Sequence, residues 1–318
     1  MAQLADAERT EPISPPAVRF SVWLRRHRAW LFVLPAVLVV LAVTIFPLLY
    51  ALSVSFFKWN LRLAAEGWQF VGLGNYARAL ANERFQLGFL HTLKITIPAL
   101  FLEFTIGLGL ALLLNRRIPG RGIIVSLLVV PVLIAPAAIG MMWRLILGVE
   151  YGAVNGFLQY VLHLPIAPDW LGNPKLAIWT IVLVDVWTWT PFVMLILLAG
   201  LTNIPDEFYE AVKVDGGSPL NSFLYITLPL LRLPIIVVFL MRLIDMIKLF
   251  DSIYVLTEGG PGSSTETLTF YTYSVGIKFL QIGDGAAMSF LIVILATIIT
   301  TIYFKVVPLR TEAKSVSQ

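Results

Sequence analysis

Glu210-Ala211-Val212-Lys213-Val214-Asp215-Gly216, followed after nine residues by Ile226-Thr227-Leu228-Pro229, is a polar, capped segment set between long apolar runs. Its local chemistry predicts two short helices joined by a turn. Pro205 suits a first helical turn, where a missing N–H has no intrahelical bond to lose. Asp206 and Glu207 complement the positive end of that helix, and Lys213 lies nearer its negative end. Phe208, Ala211 and Val212 recur at i, i+3 and i+4, which places them on one face. Gly216 or Gly217 can take a left-handed backbone and stop the helix; Ser218 as N-cap and Pro219 at the first helical position then open a second. The helix pattern alone is equally that of an ordinary amphipathic connector.

The sequence on either side of this loop belongs in a membrane. Of 318 residues, 58% are hydrophobic and only 13% charged, whereas roughly a quarter of a soluble domain is charged. Runs of about 20 apolar residues each suffice to cross a hydrocarbon core of about 30 Å. Six are present: Leu31 to Val54, Leu90 to Leu114, Ile123 to Leu147, Leu176 to Leu201, Leu233 to Leu256 and Ala286 to Val307. The runs are continuous, not alternating apolar and polar, so they predict helices and not a barrel. The expected fold class is an all-α polytopic membrane protein with six transmembrane helices.

Basic residues orient such a bundle. Arg19, Arg25, Arg26 and Arg28 precede the first span, Arg116, Arg117 and Arg121 separate the second from the third, and Lys305, Arg310 and Lys314 follow the sixth. All three groups fall on one side of an even-numbered bundle, which the positive-inside rule makes cytoplasmic, together with both termini and the 203–230 loop. These arginines account for the net charge of +4 and the pI near 9.3 without a nucleic-acid partner. Residues 1–29, with Pro12, Pro15 and Pro16, are expected to form a cytoplasmic tail, residues 30–309 the membrane domain and residues 310–318 a second tail. Arg25-Arg26-His27-Arg28 also suits the head of a signal peptide, but the run behind it is longer than a typical h-region of about 7–15 residues.

The spacing of Glu210, Ala211 and Gly216 against Ile226-Thr227-Leu228-Pro229 resembles the cytoplasmic coupling loop of permease subunits of binding-protein-dependent ABC importers, with Val212 where the commonest pattern has a second Ala. Gly72-Leu73-Gly74-Asn75-Tyr76 resembles the first external loop of carbohydrate-importer permeases. Leu256-Thr257-Glu258-Gly259-Gly260-Pro261, with Thr265, Leu268 and Tyr271-Thr272-Tyr273, resembles the external loop of the same subfamily. The likeness covers nearly all of Trp30 to Val307, and the chain is most similar to the first-type subunit, the counterpart of the larger maltose permease. The resemblance implies the type I importer permease fold and half of a translocation path for a sugar or sugar-like solute. It implies as partners a second homologous permease subunit, two ATP-binding subunits that hold ATP and Mg, an extracytoplasmic solute-binding protein and membrane lipid, in a bacterial or archaeal cytoplasmic membrane. It also assigns ATPase coupling to Glu210, Ala211, Asp215 and Gly216.

Charge inside the spans adds a second candidate region. Arg242, Asp245, Lys248 and Asp251 recur every third residue with alternating sign, so each is within side-chain reach of the next on a helix. At mid-membrane each charge costs about 2.5–3.5 kcal/mol on insertion scales, so the four are not expected to face lipid. Two readings stand: a self-neutralising structural ladder, or a polar wall of the solute path. In the fourth span Asp185, Trp189 and Phe192 share a face at i, i+4 and i+7, a carboxylate beside rings that can stack on a sugar. Trp187 reads as a packing or interface residue. The resemblance, counted from Glu210 and from the Gly-Gly-Pro loop, implies that Asp185, Trp189, Phe192, Asp245 and Met246 line the path, with Arg242, Lys248 and Asp251 supporting it. Glu103 is a solitary carboxylate in the second span, either a path residue or the partner of a neighbouring helix or subunit. Pro98, Pro131, Pro136 and Pro191 are expected to kink their helices.

No G-x-x-x-x-G-K-[ST] phosphate cradle occurs, so ATP is expected to bind partner subunits and not this chain. Cysteine is absent, which removes disulfides and thiolate metal sites; His27, His91 and His163 are isolated, no catalytic motif accompanies them and no metal site is expected. A permease without catalytic function is therefore the leading expectation. The competing one is an ion-coupled secondary transporter using Glu103, Asp185 or Asp245, which would not need the 203–230 loop.

Overall fold

The computed structural model describes residues 30, 32–116 and 118–307. Both expected tails, with Arg19, Arg25, Arg26, Arg28, Arg310 and Lys314, lie outside the described residues, as do Leu31 and Arg117. The chain divides into two compact units, Met1–Ser53 and Val54–Gln318. The described part of the first unit is the body of helix α1, Phe32–Val54. A π-helical turn over Leu41–Ile45 lies just ahead of Pro47. That placement follows from proline chemistry, since Pro47 has no N–H for the carbonyl of Val43.

The second unit opens with a two-stranded antiparallel ribbon, β1 (Phe57–Lys58) against β2 (Gln69–Phe70), paired Phe57 to Phe70 and Lys58 to Gln69. Aromatic side chains hold it, with Trp59 and Trp68 4.4 Å apart and Phe57 edge-on to Phe70 at 5.3 Å. Helix α2 (Gly74–Ala81) follows, and within it Asn75 is completely buried. Its Nδ2 donates to the carbonyls of Ser55 and Phe57 at 2.7 and 2.9 Å, while the Tyr76 and Ser55 hydroxyls meet at 2.6 Å. The Gly-Leu-Gly-Asn-Tyr string is therefore a polar staple and not only an interface anchor.

Two long helices form the centre. α3 (Glu83–Leu114) begins on Asn82, whose side chain accepts from the Phe85 N–H at 3.1 Å, with Glu83 in the first turn. It runs on through Pro98. Next come α4 (Arg121–Leu133) and α5 (Pro136–Ile146), related by a 97° bend. The expected third span is thus two pieces. Ala135 is extended, as a residue ahead of proline prefers, and Pro136 starts the second piece. α6 (Pro174–Thr202) is capped by Asn173 and continues through Pro191. α3 and α6 pack closely: a Cβ on Gly107 would stand 3.0 Å from Val193 Cγ1. Ile95, Ala99, Ile181, Val184 and Met246 form one core cluster around this pair, and Ala111, Val193, Leu197 and Leu231 another.

The helices that follow α6 are α7 (Asp206–Val214), α8 (Pro219–Leu230), α9 (Arg232–Ile247), α10 (Asp251–Leu256), α11 (Leu268–Tyr273) and α12 (Ile282–Val306). α8 and α9 meet at a 63° bend. The expected fifth span, Leu233 to Leu256, is interrupted: α9 ends at Ile247, and α10 starts afresh at Asp251. α12 anchors on the ribbon, with the Gly283 N–H donating to the Trp59 carbonyl at 3.2 Å and Arg78 paired with Asp284 at 2.9 Å. Among the described residues four helices are each long and apolar enough to cross a membrane, and the number rises to six if each of the two bent pairs is one span.

Asn75→Ala removes the donor to the carbonyls of Ser55 and Phe57 and the acceptor of the Arg78 guanidinium. It should lower stability by about 1–3 kcal/mol, read as a fall in the thermal unfolding midpoint of the detergent-solubilised chain.

Candidate functional site

The 203–230 segment folds as its sequence directs, with one change of register. Pro205 occupies the N-cap at φ −60° and ψ 138°, so α7 starts one residue later than expected, with Asp206 and Glu207 in its first turn and Lys213 in its last. Gly216 has φ +74°, the left-handed region where a side chain is strained, and its N–H donates to the Lys213 carbonyl at 3.1 Å. Ser218 Oγ then accepts from the Asn221 N–H at 3.2 Å and Pro219 opens α8. The Tyr209 hydroxyl bridges to that of Thr227 at 3.1 Å, tying the two helices together. Glu210, Ala211, Asp215 and Gly216 are all exposed. So are the apolar side chains Phe208 (46%), Val214 (87%) and Leu220 (64%). The helix-turn-helix thus leaves three large apolar side chains uncovered.

Inside the bundle, Arg242 of α9 is 1% exposed and draws two other helices to it. Its Nε and Nη2 donate to Glu103 of α3 at 2.7 and 2.8 Å, a bidentate pair, and Nη2 also donates to Asp185 of α6 at 2.8 Å. Met246 Sδ lies 3.4 Å from the same nitrogen. The guanidinium carbon sits 4.7 Å from the centroid of the Trp189 ring, a cation–π contact, and Trp189 meets Phe192 edge-on at 6.0 Å. Glu103 and Asp185, at 0% and 2% exposure, are as buried as the arginine. Charges so far from water persist only when paired and hydrogen-bonded, and the planar fork of arginine is suited to bind two carboxylates at once.

The alternating ladder on the fifth span is thereby corrected. Arg242 takes partners from α3 and α6 and makes no salt bridge with Asp245, because the desolvated cation gains most from carboxylates that are themselves buried. Asp245 pairs with Lys248 at 3.5 Å, with side chains 44% and 60% exposed. Asp251 lies beyond the break as the acidic residue in the first turn of α10. Of the residues expected to line or support the path, the structure gathers Asp185, Trp189, Phe192, Arg242 and Met246; it sets Asp245, Lys248 and Asp251 apart. Glu103, which stood alone in the sequence, proves to be the principal partner of Arg242. Trp187 packs edge-on against Trp143 at 5.6 Å, as a packing residue should.

The Gly-Gly-Pro loop is built on hydrogen bonds as well. Thr265 Oγ1 donates to the Gly260 carbonyl at 2.7 Å and lies 2.8 Å from the Thr257 hydroxyl, and Arg84 clasps Glu266 at 3.0 and 3.1 Å. Burial pushes the Glu266 carboxyl above its ordinary range, and Arg84 opposes that shift.

A family model described as "Binding-protein-dependent transport system inner membrane component" matches residues 104–309. The chain is 38% identical over 280 residues to the trehalose/maltose transport system permease protein MalF of Thermococcus litoralis, covering 87% of this chain and 92% of that protein. It is 33% identical to the trehalose transport system permease protein SugA of Mycobacterium tuberculosis over 88% of each. Among solved structures, it superposes with a TM-score of 0.78 on a chain of a bacterial ABC transporter involved in the import of the acidic polysaccharide alginate. That match covers 92% of this chain and 100% of the other, and at 19% identity it speaks for the fold.

Arg242→Met would strand two buried carboxylates and should cost about 3–5 kcal/mol. Asp245→Asn, at the exposed pair, should stay within about 0.5 kcal/mol of the parent. Thermal unfolding of both solubilised variants checks the contrast.

Proposed function

The chain belongs to the family of binding-protein-dependent transport system inner membrane components, and on that premise we propose that it forms half of the translocation path of an ATP-driven importer for a sugar or sugar-like solute. The observation that carries the coupling role is the exposed helix-turn-helix of α7 and α8. Its turn depends on the left-handed Gly216, and its uncovered Phe208, Val214 and Leu220 offer an apolar patch to a soluble partner. ATP-binding subunits dock there, with Glu210, Ala211, Asp215 and Gly216 at the contact. Support for a sugar comes from the relatives, whose names specify trehalose, maltose and arabinooligosaccharides.

The chemistry of the path fits this reading. Trp189 and Phe192 offer ring faces to the apolar side of a pyranose, and the buried Asp185 and Arg242 beside them fix where those rings stand. Asp245 and Met246 belong to the same helix, α9. The other half of the path comes from a second, homologous permease subunit, and an extracytoplasmic binding protein delivers the solute. Arg116 and Arg121, with the basic groups of both tails, put the α7–α8 loop and both termini on the cytoplasmic side of a bacterial or archaeal membrane.

Transport follows as alternating access. ATP binds the partner ATPases more tightly in the outward-facing state, so closure of those subunits shifts the helices through the docked loop; hydrolysis returns them. Without that differential affinity no shift occurs. This chain supplies the lever and the path, and ATP with Mg stays on the partners.

In the assembled complex, Gly216→Pro should abolish solute-stimulated ATP hydrolysis and uptake, since proline cannot adopt φ +74°. Glu210→Ala should lower both while leaving the spans inserted. Parent-level stimulated hydrolysis in both variants would remove the coupling role. For orientation, the chain has no native cysteine, so Ser218→Cys should resist an impermeant thiol reagent in intact cells while Ser263→Cys reacts; labelling at position 218 from outside would invert the topology.

A further inference from the structure

The π-helical continuation of α11, Ser274–Lys278, meets the start of α12 at two glycines. A Cβ on Gly285 would stand 2.5 Å from the Gly276 Cα, so the two backbones touch and Gly285 has no room for a side chain. Beside this contact lies a cavity of about 530 Å³, a size suited to a small molecule. Phe250, from the break between α9 and α10, joins α11 and α12 in lining it.

The cavity is open. Ile277 and Ser289 in its wall are exposed, and its α12 side starts at Ile282, the first residue of the helix. On the orientation proposed above, that is the extracytoplasmic half of the span. The exposed Lys278 holds its Nζ 5.8 Å from the centre of the Tyr273 ring in the same wall, and Arg62 donates to the Lys278 carbonyl at 3.2 Å. Two cations at one edge mark an aqueous boundary, since a charge is costly against hydrocarbon.

The hydroxyls of the wall are already half engaged. Thr269 Oγ1 donates to the Leu249 carbonyl at 2.7 Å, Thr272 Oγ1 to the Leu268 carbonyl at 2.8 Å and Ser289 Oγ to the Gly285 carbonyl at 2.9 Å. Each hydroxyl has one proton and two lone pairs, so with the proton committed it faces a ligand as an acceptor. Phe250 and Tyr273 stand with them, edge-on to each other at 5.0 Å. Among the described residues no charged side chain lines the cavity. Acceptors beside aromatic rings, without charge, complement a neutral molecule that brings hydroxyl protons and an apolar ring face. An acyl chain would use the rings and none of the acceptors.

Resting on the reading above, we propose that this cavity is an outer subsite of the importer. It holds one ring of a neutral sugar at the extracytoplasmic face, against Phe250 and Tyr273 and within hydrogen-bonding reach of Thr272 and Ser289, before the solute moves on into the path. The Arg242 cluster takes no part in this step.

The test uses the whole transporter in proteoliposomes: this chain, a cysteine-free partner permease, cysteine-free ATPase subunits and the binding protein. This chain has no native cysteine, so Ser289→Cys reports on the cavity, and Ser263→Cys on the Gly-Gly-Pro loop is the control. An impermeant thiol reagent is added outside, with trehalose or maltose, in the presence and absence of binding protein, and uptake by the cysteine-free parent is measured alongside. Ser289→Cys should label. Either sugar, at ten times its half-protecting concentration, should slow that labelling roughly tenfold and leave Ser263→Cys unaffected. Adding Thr272→Val to Ser289→Cys should raise the half-protecting concentration about three- to tenfold, the loss of one neutral hydrogen bond. Thr272→Ser in the same background should restore it.

If Ser289→Cys resists the impermeant reagent, the cavity is covered by lipid or by a partner helix, and the proposal is overturned. Labelling that neither sugar slows, in a complex whose parent takes up sugar, overturns the subsite and leaves the proposed function standing. A complex that neither takes up nor is protected by either sugar removes the solute class from the proposed function, and the subsite with it.

Discussion

A guanidinium shut away from water at membrane depth must find its hydrogen bonds inside the protein, and this single requirement commits three helices to one another. Arg242 on α9 engages Glu103 on α3 and Asp185 on α6, partners 139 and 57 residues away in the chain. No helix of the three can slide or rotate without stripping a buried charge. Such clusters add little net stability over a well-packed apolar core, because desolvation offsets attraction, but losing any one partner is severe. What the cluster secures is alignment. It joins the two long central helices to the bent fifth span at one level, and it sets the Arg242 guanidinium over the Trp189 ring.

The packing that allows this alignment is visible along α3. Ala99, Glu103, Gly107 and Ala111 follow one another at intervals of four, and all four are buried. Small residues above and below the carboxylate let α6 approach closely, as small side chains do between membrane helices. At Gly107 even a methyl group would press on Val193. The carboxylate can therefore reach across to Arg242 without a long side chain bridging a gap. Charge and close packing depend on each other here: the glycine brings the helices near, and the ion cluster makes that nearness specific.

The two breaks in the spans have different origins. Between α4 and α5 the cause is local, an extended Ala135 ahead of Pro136. Between α9 and α10 no proline intervenes; the helix stops at Ile247, Lys248 turns outward to Asp245, and Thr267 and Thr269 donate to the Leu249 carbonyl at 2.9 and 2.7 Å. Side chains at the start of α11 thus occupy an acceptor that a continuous helix would have bonded to itself. The α7–α8 loop contrasts with both. Its caps and glycine turn are satisfied within a few residues.

That difference separates what was legible in the residues from what was not. Membrane class, six apolar runs and the paired helices at 206–230 follow from composition, run length and caps, all of which act over one to a few turns. Family resemblance then pointed to Asp185, Trp189 and Phe192 on one face, and the structure does bring them together with Arg242. The partners of the charges were beyond local reading. Spacing of i, i+3 along Arg242, Asp245, Lys248 and Asp251 promised a ladder, because it measures reach on a helix surface and says nothing of burial. Only the tertiary structure decided that Arg242 faces inward while Asp245 and Lys248 stay at an exposed edge, and that the helix ends before Asp251. A buried cation is held by the carboxylates that share its burial, and which carboxylates those are is a property of how distant helices pack, not of their neighbours in sequence.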